Sequence, residues 1–253
     1  MWRVTPLFIG VGTVVNVATV VIGSLLGLAL GNRLSERTRT TVTDLLGLTT
    51  LVIGGLNVAS LTSQTITSGL GGGVALMVVL GSLLVGAIIG STLRLEDRFE
   101  VFAGWLRDRL GGAGGGQRHR FVNGFVTATL VFCIGPLTIL GSLSDGLGRG
   151  ADQLIDKAIL DGFASIAFAS SLGIGVLASA GAVAVVQGSL TLLGFLAGDV
   201  LPAVHVDVLT VIGGIILMGL SLRLLNLKQV RVADMLPALL LAPLATQLVL
   251  MVR

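Results

Sequence analysis

Tyrosine is absent from this chain of 253 residues, cysteine occurs once, histidine twice and proline five times. Charge is scarce as well: Asp, Glu, Lys and Arg make up 11% of the residues, against about a quarter in a soluble domain. Each shortage excludes something. A single cysteine, Cys133, leaves no disulfide within the chain and no Cys-based metal site. No Walker loop, HExxH, GxSxG or dinucleotide fingerprint is present, so no enzymatic activity and no cofactor are expected. No basic cluster is interleaved with stacking aromatics, which excludes nucleic acid as a partner. The net charge of +3 and the isoelectric point near 10.0 then read as membrane topology and contact with anionic headgroups.

What is abundant is apolar sequence. Hydrophobic residues account for 53% of the chain, and the mean hydropathy is +0.99. Runs long enough to cross a hydrocarbon core of roughly 30 Å recur from end to end. Eight spans are expected, at 8–31, 41–61, 73–93, 121–144, 157–178, 181–198, 208–222 and 233–251. The fifth and sixth are separated only by Ala178, Ser179 and Ala180, so one of them could be re-entrant, leaving seven crossings. The runs are continuous and lack the alternating ten-residue strands of a barrel. The fold class is therefore all-α: a polytopic membrane helical bundle in a single membrane domain, 1–253. The lipid bilayer is its first partner.

Twelve of the sixteen Lys and Arg residues follow spans one, three or seven. The positive-inside rule then places these loops in the cytoplasm and both termini outside. The first span is too long for a signal h-region and is expected to be retained. Residues 1–93 hold the first three spans and 121–253 the last five. Between them, at 94–120, lies a cytoplasmic segment. Within it, Leu95, Phe99, Phe102, Trp105, Leu106 and Leu110 form one helical stripe, which predicts an amphipathic helix at the inner membrane surface. A Gly-rich linker, Gly111 to Gly116, follows it. A faint parallel similarity relates Val21–Leu34 to Val211–Leu224, no more than composition alone would give.

Glycines recur four apart at Gly23, Gly27 and Gly31, at Gly86 and Gly90, and at Gly194 and Gly198. Such strips let helix backbones approach closely. Packing within the bundle is the default reading, and homo-oligomer formation through the same Gly-rich faces is compatible with it.

Polar groups inside spans avoid lipid, so the few present mark the bundle interior or a hydrated path. Asn16, Asn123, Thr127, Ser165 and Gln187 are the neutral candidates. Asp161 is the one acid well inside a span. It either pairs with Lys157, one turn earlier on the same face, or serves with Ser165 and amide oxygens as a site for a small cation or a proton, which makes it the metal-ligand candidate. Gly135 and Pro136 fall at the midpoint of span four, where a break would free carbonyls of the kind that line transporter sites, although a plain proline kink reads equally well. His205 with Asp199 and Asp207 could bind a metal weakly, though a solvated outer loop is the simpler reading.

Four stretches, GTVVNVATVVIGSLLGLALGNRL, FVNGFVTATLVFCIGPLTILGSLSDGL, KAILDGFASIAFASSLGIGV and RVADMLPALLLAPL, together resemble the YqgA-like family of bacterial membrane proteins, domain of unknown function 554. The resemblance covers essentially the whole chain. It implies a bacterial inner-membrane location and a loose link to biofilm formation, and it supplies neither an activity nor site residues. Leu160–Val176 is also similar to the Asp-containing membrane motif of LysE-type exporters, manganese-efflux members in particular, which implies cation passage at Asp161; the second Asp motif of that group is not evident. The sequence thus favours a secondary transporter or channel for a small solute, with an inorganic cation as the expected class. The rival expectation is a non-transporting scaffold, sensor or regulator acting through the helix at 95–110.

Overall fold

In a computed structural model, residues 8–31, 35–109, 115–133, 136–197 and 202–252 are described. They form α-helices and two short 3-10 turns, with no strand among the described residues. The helices are α1 (Val11–Gly31), α2 (Glu36–Ala59), α3 (Gln64–Gly69), α4 (Gly72–Thr92), α5 (Leu95–Arg109), α6 (Gly115–Cys133), α7 (Pro136–Gly146), α8 (Asp152–Leu172), α9 (Gly175–Ala197), α10 (Ala203–Leu224) and α11 (Pro237–Val252).

Six helical segments are long and apolar enough to cross a membrane, and α6 with α7 makes a seventh, bent by 61° at a break. That break is where Gly135 and Pro136 were expected to open span four. Gly135 lies outside the described residues, while Pro136 starts α7, where a missing amide proton costs nothing. The remaining long helix, α8, carries Asp152, Asp156, Lys157 and Asp161 and is correspondingly less apolar. Its packing nevertheless follows α1 along its length. Gly12 of α1 sits against Leu154, Gly23 against Gly162 and Ser165, and Gly31 against Ser170, so the two helices cover one depth from end to end. By length and apolarity the described residues thus hold six or seven crossing segments, where the sequence reading expected eight.

The boundary between spans five and six differs from the sequence expectation. Ala178, Ser179 and Ala180 do not join two helices; they lie inside α9. The Ser179 hydroxyl donates to the Val176 carbonyl at 2.6 Å, which satisfies it without leaving the helix. The chain turns instead at Gly173, whose φ of +84° suits a residue without a Cβ.

The chain divides into two compact units, within 1–46 and 100–200 and within 47–99 and 201–253. Each draws helices from both sides of the Gly-rich segment. In the first unit α1 runs parallel to α8, and α9 runs parallel to α6 and α7, with Gly175 against Phe121 and Gly194 against Leu143. In the second, α2 and α10 are antiparallel, with Gly47 near Leu225 and Gly54 near Gly214. So are α4 and α11, with Gly86 at Ala238 and Gly90 at the Asp234 carbonyl just before α11. These four directions are the ones that strictly alternating crossings demand. A Cβ at Gly23 would collide with Ser165 Oγ and the Gly162 carbonyl, and one at Gly90 with the Asp234 carbonyl. The strips at Gly23, Gly27 and Gly31, at Gly86 and Gly90, and at Gly194 thus pack against neighbouring helices of the same chain, which is the packing role expected of them. Gly198 lies outside the described residues.

The amphipathic helix forms as α5, but its apolar stripe is divided between two environments. Ala103 and Gly104 are buried and Phe99 and Leu106 half-buried, while Val101, Phe102 and Trp105 face outward. Leu110 lies outside the described residues. Phe102 stacks on Trp105 with centroids 5.9 Å apart, and the Arg109 guanidinium lies 5.6 Å from the Trp105 ring. An aromatic pair with a cation beside it suits the headgroup level, where one side is apolar and the other wet. In a Trp2→Phe background, emission from Trp105 in vesicles is expected to be quenched strongly by brominated acyl chains and weakly by aqueous iodide. The opposite order would place the outer face of α5 in water.

Candidate functional site

The first unit gathers polar groups around the middle of α8. Asp161 is the tenth residue of that helix, about 15 Å from its start. Its Oδ2 accepts from Lys157 Nζ, one turn earlier, and from Asn16 Nδ2 of α1 at 3.0 Å. All three side chains are buried, with Asn16 fully enclosed. The two readings of Asp161 left open by the sequence are therefore not exclusive. The pair with Lys157 exists, and it is held in the interior of the unit against an amide from another helix.

A carboxylate and an ammonium in such a place cost several kcal/mol each to desolvate, and mutual attraction offsets this only when the remaining hydrogen bonds are made. Around the pair, further buried polar atoms go unpartnered among the described residues. Asn16 Oδ1 is buried with no hydrogen-bond partner among the described residues. Gln187 on α9 is likewise fully enclosed, and neither its Oε1 nor its Nε2 has a partner among them. Thr13 and Thr191 share a hydrogen bond of 3.2 Å that fixes the register of α1 against α9. Asn16 lies about one turn beyond Thr13, and Gln187 one turn before Thr191. Because α1 and α9 run in opposite directions, these two amides occupy the same depth. The Cys133 thiol, at the end of α6 beside the break, is within electrostatic reach of both Lys157 and Asp161.

The other sequence candidates fall elsewhere. Ser165 is buried one turn beyond Asp161, but its hydroxyl donates to the Gly162 carbonyl at 2.8 Å and packs under Gly23, which makes it part of the helix contact. Thr127 is buried on α6. Asn123 departs from the expected interior position: half-exposed, it pairs with His119 Nε2 at 3.0 Å, ten residues and about 15 Å along α6 from Cys133. Its helix begins at Gly115, so the polar end of α6 holds it away from the cluster. His205 is not in a solvated loop, because α10 begins at Ala203 and takes it into its buried first turn. Asp207 accepts from the Ser63 hydroxyl at 2.7 Å, and Asp199 lies outside the described residues. Among the described residues no three His, Cys, Asp or Glu side chains converge as a metal site would require. For Asp161 as a metal ligand, the carboxylate's neighbours are an ammonium and an amide, not a second acid.

Two polar arrangements escaped the sequence reading. Asp145, at the end of α7, is 1% exposed, and its two carboxylate oxygens accept from the Gly10 and Gly12 amides at 3.1 and 3.0 Å. This caps α1, where free amides and the helix dipole favour a negative charge. In the second unit, Glu96 of α5 accepts from Arg223 of α10 and from the Ala233 amide at 2.8 Å, while Asp234 accepts from the Glu96 amide at 2.9 Å. A signal for each was present, an acid one or two residues from a helix end, but its partner lies more than a hundred residues away.

Comparison with known proteins agrees with this membrane architecture. Residues 11–247 match the family model described as a protein of unknown function, DUF554. The chain is 31% identical to the uncharacterized protein YqgA of Escherichia coli (strain K12) over 236 residues, 92% of this chain and 94% of that one. It is 26% identical to the uncharacterized membrane protein YdfK of Bacillus subtilis (strain 168) over 232 residues, 92% of this chain and 93% of the relative. No solved structure matches. With the match running from the first residue of α1 almost to the end of α11, the chain belongs to the DUF554 family of membrane proteins.

Proposed function

We propose that this protein is a secondary transporter or channel of the bacterial inner membrane that moves a small solute, an inorganic cation being the class its interior suits. The observation that carries the proposal is the buried Asp161, Lys157 and Asn16 cluster, assembled from α1 and α8 at mid-depth beside the break between α6 and α7. Ionisable groups at such depth are expensive, and face a partner or a hydrated path. A broken helix is tolerated there where neighbours or water can reach the freed backbone. Movement would be driven by an ion gradient or be passive, with no chemistry on the solute.

The test is flux. Purified protein in vesicles is exposed to gradients of sodium, potassium, manganese and protons, each followed by a lumenal dye or isotope and compared with protein-free vesicles and with Asp161→Asn vesicles. Transport at Asp161 requires one of these fluxes in the wild-type vesicles alone. Equal rates in all three kinds of vesicle would remove the proposal.

The same reading places the basic loops in the cytoplasm and both termini outside. In a Cys133→Ala background, a cysteine replacing Ser68 is expected to react with an impermeant thiol reagent applied outside intact cells. One replacing Gly114 should react only after the inner face is opened. The reverse pattern would invert the topology.

A further inference from the structure

We infer that the cavity where α1 and α8 end and α6 and α9 begin is a binding site for an anionic phospholipid, with the lipid phosphate on the Arg120 guanidinium. The inference stands apart from the transport reading. It concerns the end of the first unit, roughly 15 Å along α8 from Asp161.

The cavity measures about 230 Å³, well beyond one water's share of about 30 Å³. Leu28 of α1, Phe121 of α6, Leu172 of α8 and Ile174 before α9 form apolar walls, and Arg120 of α6 is the one charged side chain that lines it. The guanidinium is fixed in place. Its Nε and Nη2 donate to the Ser171 carbonyl at 3.2 and 2.8 Å. It also lies over Gly173, where a Cβ would come within 3.4 Å of Nε. Gly173 has a φ of +84°, so the missing side chain serves the turn and the guanidinium together. A carbonyl positions the planar fork and leaves its positive charge intact.

Helix ends do not set the sign of the ligand here. The carbonyl ends of α1 and α8 meet the amide ends of α6 and α9, and their partial charges offset one another. The guanidinium decides it. A rigid fork matches the oxygens of a phosphate, which makes a phosphate group the chemistry the cavity takes.

The walls say what carries that phosphate. A soluble phosphate would leave the apolar lining in water, and Ile174 is already 57% exposed. An acyl chain would cover it. Four helix ends at one level place the cavity at headgroup height, where a lipid brings phosphate and chain together, and basic pockets between membrane helices hold such headgroups. A phosphodiester carries a single negative charge, which matches the single guanidinium. On the topology proposed above, this end faces the inner leaflet.

Binding is read on the full protein in detergent by native mass spectrometry, with three probes. Dioleoylphosphatidylglycerol is the anionic lipid, dioleoylphosphatidylcholine has the same chains without net charge, and soluble glycerophosphoglycerol has the headgroup without chains. One saturable phosphatidylglycerol is expected, bound roughly 10-fold tighter than phosphatidylcholine, with no binding of the free headgroup over the same range. Arg120→Gln should weaken phosphatidylglycerol roughly 10- to 100-fold and leave phosphatidylcholine unchanged. Because Arg120 also holds the Ser171 carbonyl, a second variant leaves that bond in place. Ile174→Glu sets a negative charge at the rim, on the residue before α9, where the helix dipole tolerates it. It should weaken phosphatidylglycerol by roughly 10-fold through like-charge repulsion. Equal binding of the two lipids, or wild-type affinity for phosphatidylglycerol in either variant, would overturn the inference. Free headgroup binding as tightly as the lipid would assign the cavity to a soluble phosphodiester and overturn the lipid.

Discussion

Asp161→Asn is expected to abolish flux and to destabilise the protein, and adding Lys157→Met is expected to restore stability but not flux. The two effects separate because they have different physical origins. Removing the carboxylate's charge leaves Lys157 enclosed in the interior with only an amide to face. Breaking a buried ion pair from one side costs about 3–5 kcal/mol. Replacing both members by neutral groups of similar volume removes the uncompensated charge, and such replacements are often neutral or stabilising. A structural role would therefore be fully rescued in the double variant. A transport role would not, since the ligand that receives the solute is gone from both proteins. Unfolding in detergent and flux in vesicles, measured on the single and double variants together, check the prediction. Wild-type flux in the double variant would show that the pair only holds α8 in place.

The division between what was legible in the sequence and what was not follows the range of the interactions. Crossings were legible because hydropathy is local: α1, α2, α4, α9 and α10 each announce themselves by composition. Lys157 and Asp161 were legible as a pair because four residues is one helical turn. Asn16 could be assigned to the interior but not to a partner, because its partner is 145 positions away and was fixed only by the Gly23, Gly27 and Gly31 contact of α1 with α8. Asn123 was misplaced because a period of polar residues says which face is buried, not how far along the helix the membrane begins. The turn at Gly173 was passed over for a run of small residues, since alanine and serine separate two apolar stretches on a hydropathy scale yet continue a helix without strain. Asp145, Glu96 and Asp234 look in sequence like ordinary acids of polar connections. Only the fold reveals that each sits on the free amides of a distant segment.

Glu96 provides the second large expected effect, because it joins three segments of its unit at once. Its carboxylate takes the Arg223 guanidinium from the end of α10 and the Ala233 amide from the turn before α11, while its own amide is held by Asp234. The chain enters this arrangement through Arg94, whose φ of +51° is unfavourable for a residue with a Cβ and is maintained by the contacts that follow it. Glu96→Ala would leave a largely enclosed guanidinium without its counter-charge and a buried amide without its acceptor, a loss of about 3–5 kcal/mol by the same reasoning that applies to any buried pair broken on one side. In a domain of this size that corresponds to a fall in unfolding temperature on the order of 10 °C. Glu96→Gln, which keeps an oxygen for Ala233 but not the charge for Arg223, should lose about 1.5–3 kcal/mol. Arg223→Met should add little once Glu96 is already alanine, because the two residues act as one unit and their effects are not additive. Unfolding of the detergent-solubilised single and double variants measures the coupling directly. Flux through Asp161 should survive in whatever fraction of the Glu96→Gln protein stays folded. Independent, additive losses at Glu96 and Arg223 would show that α5 is held to α10 by packing alone, and that its anchoring charge is incidental.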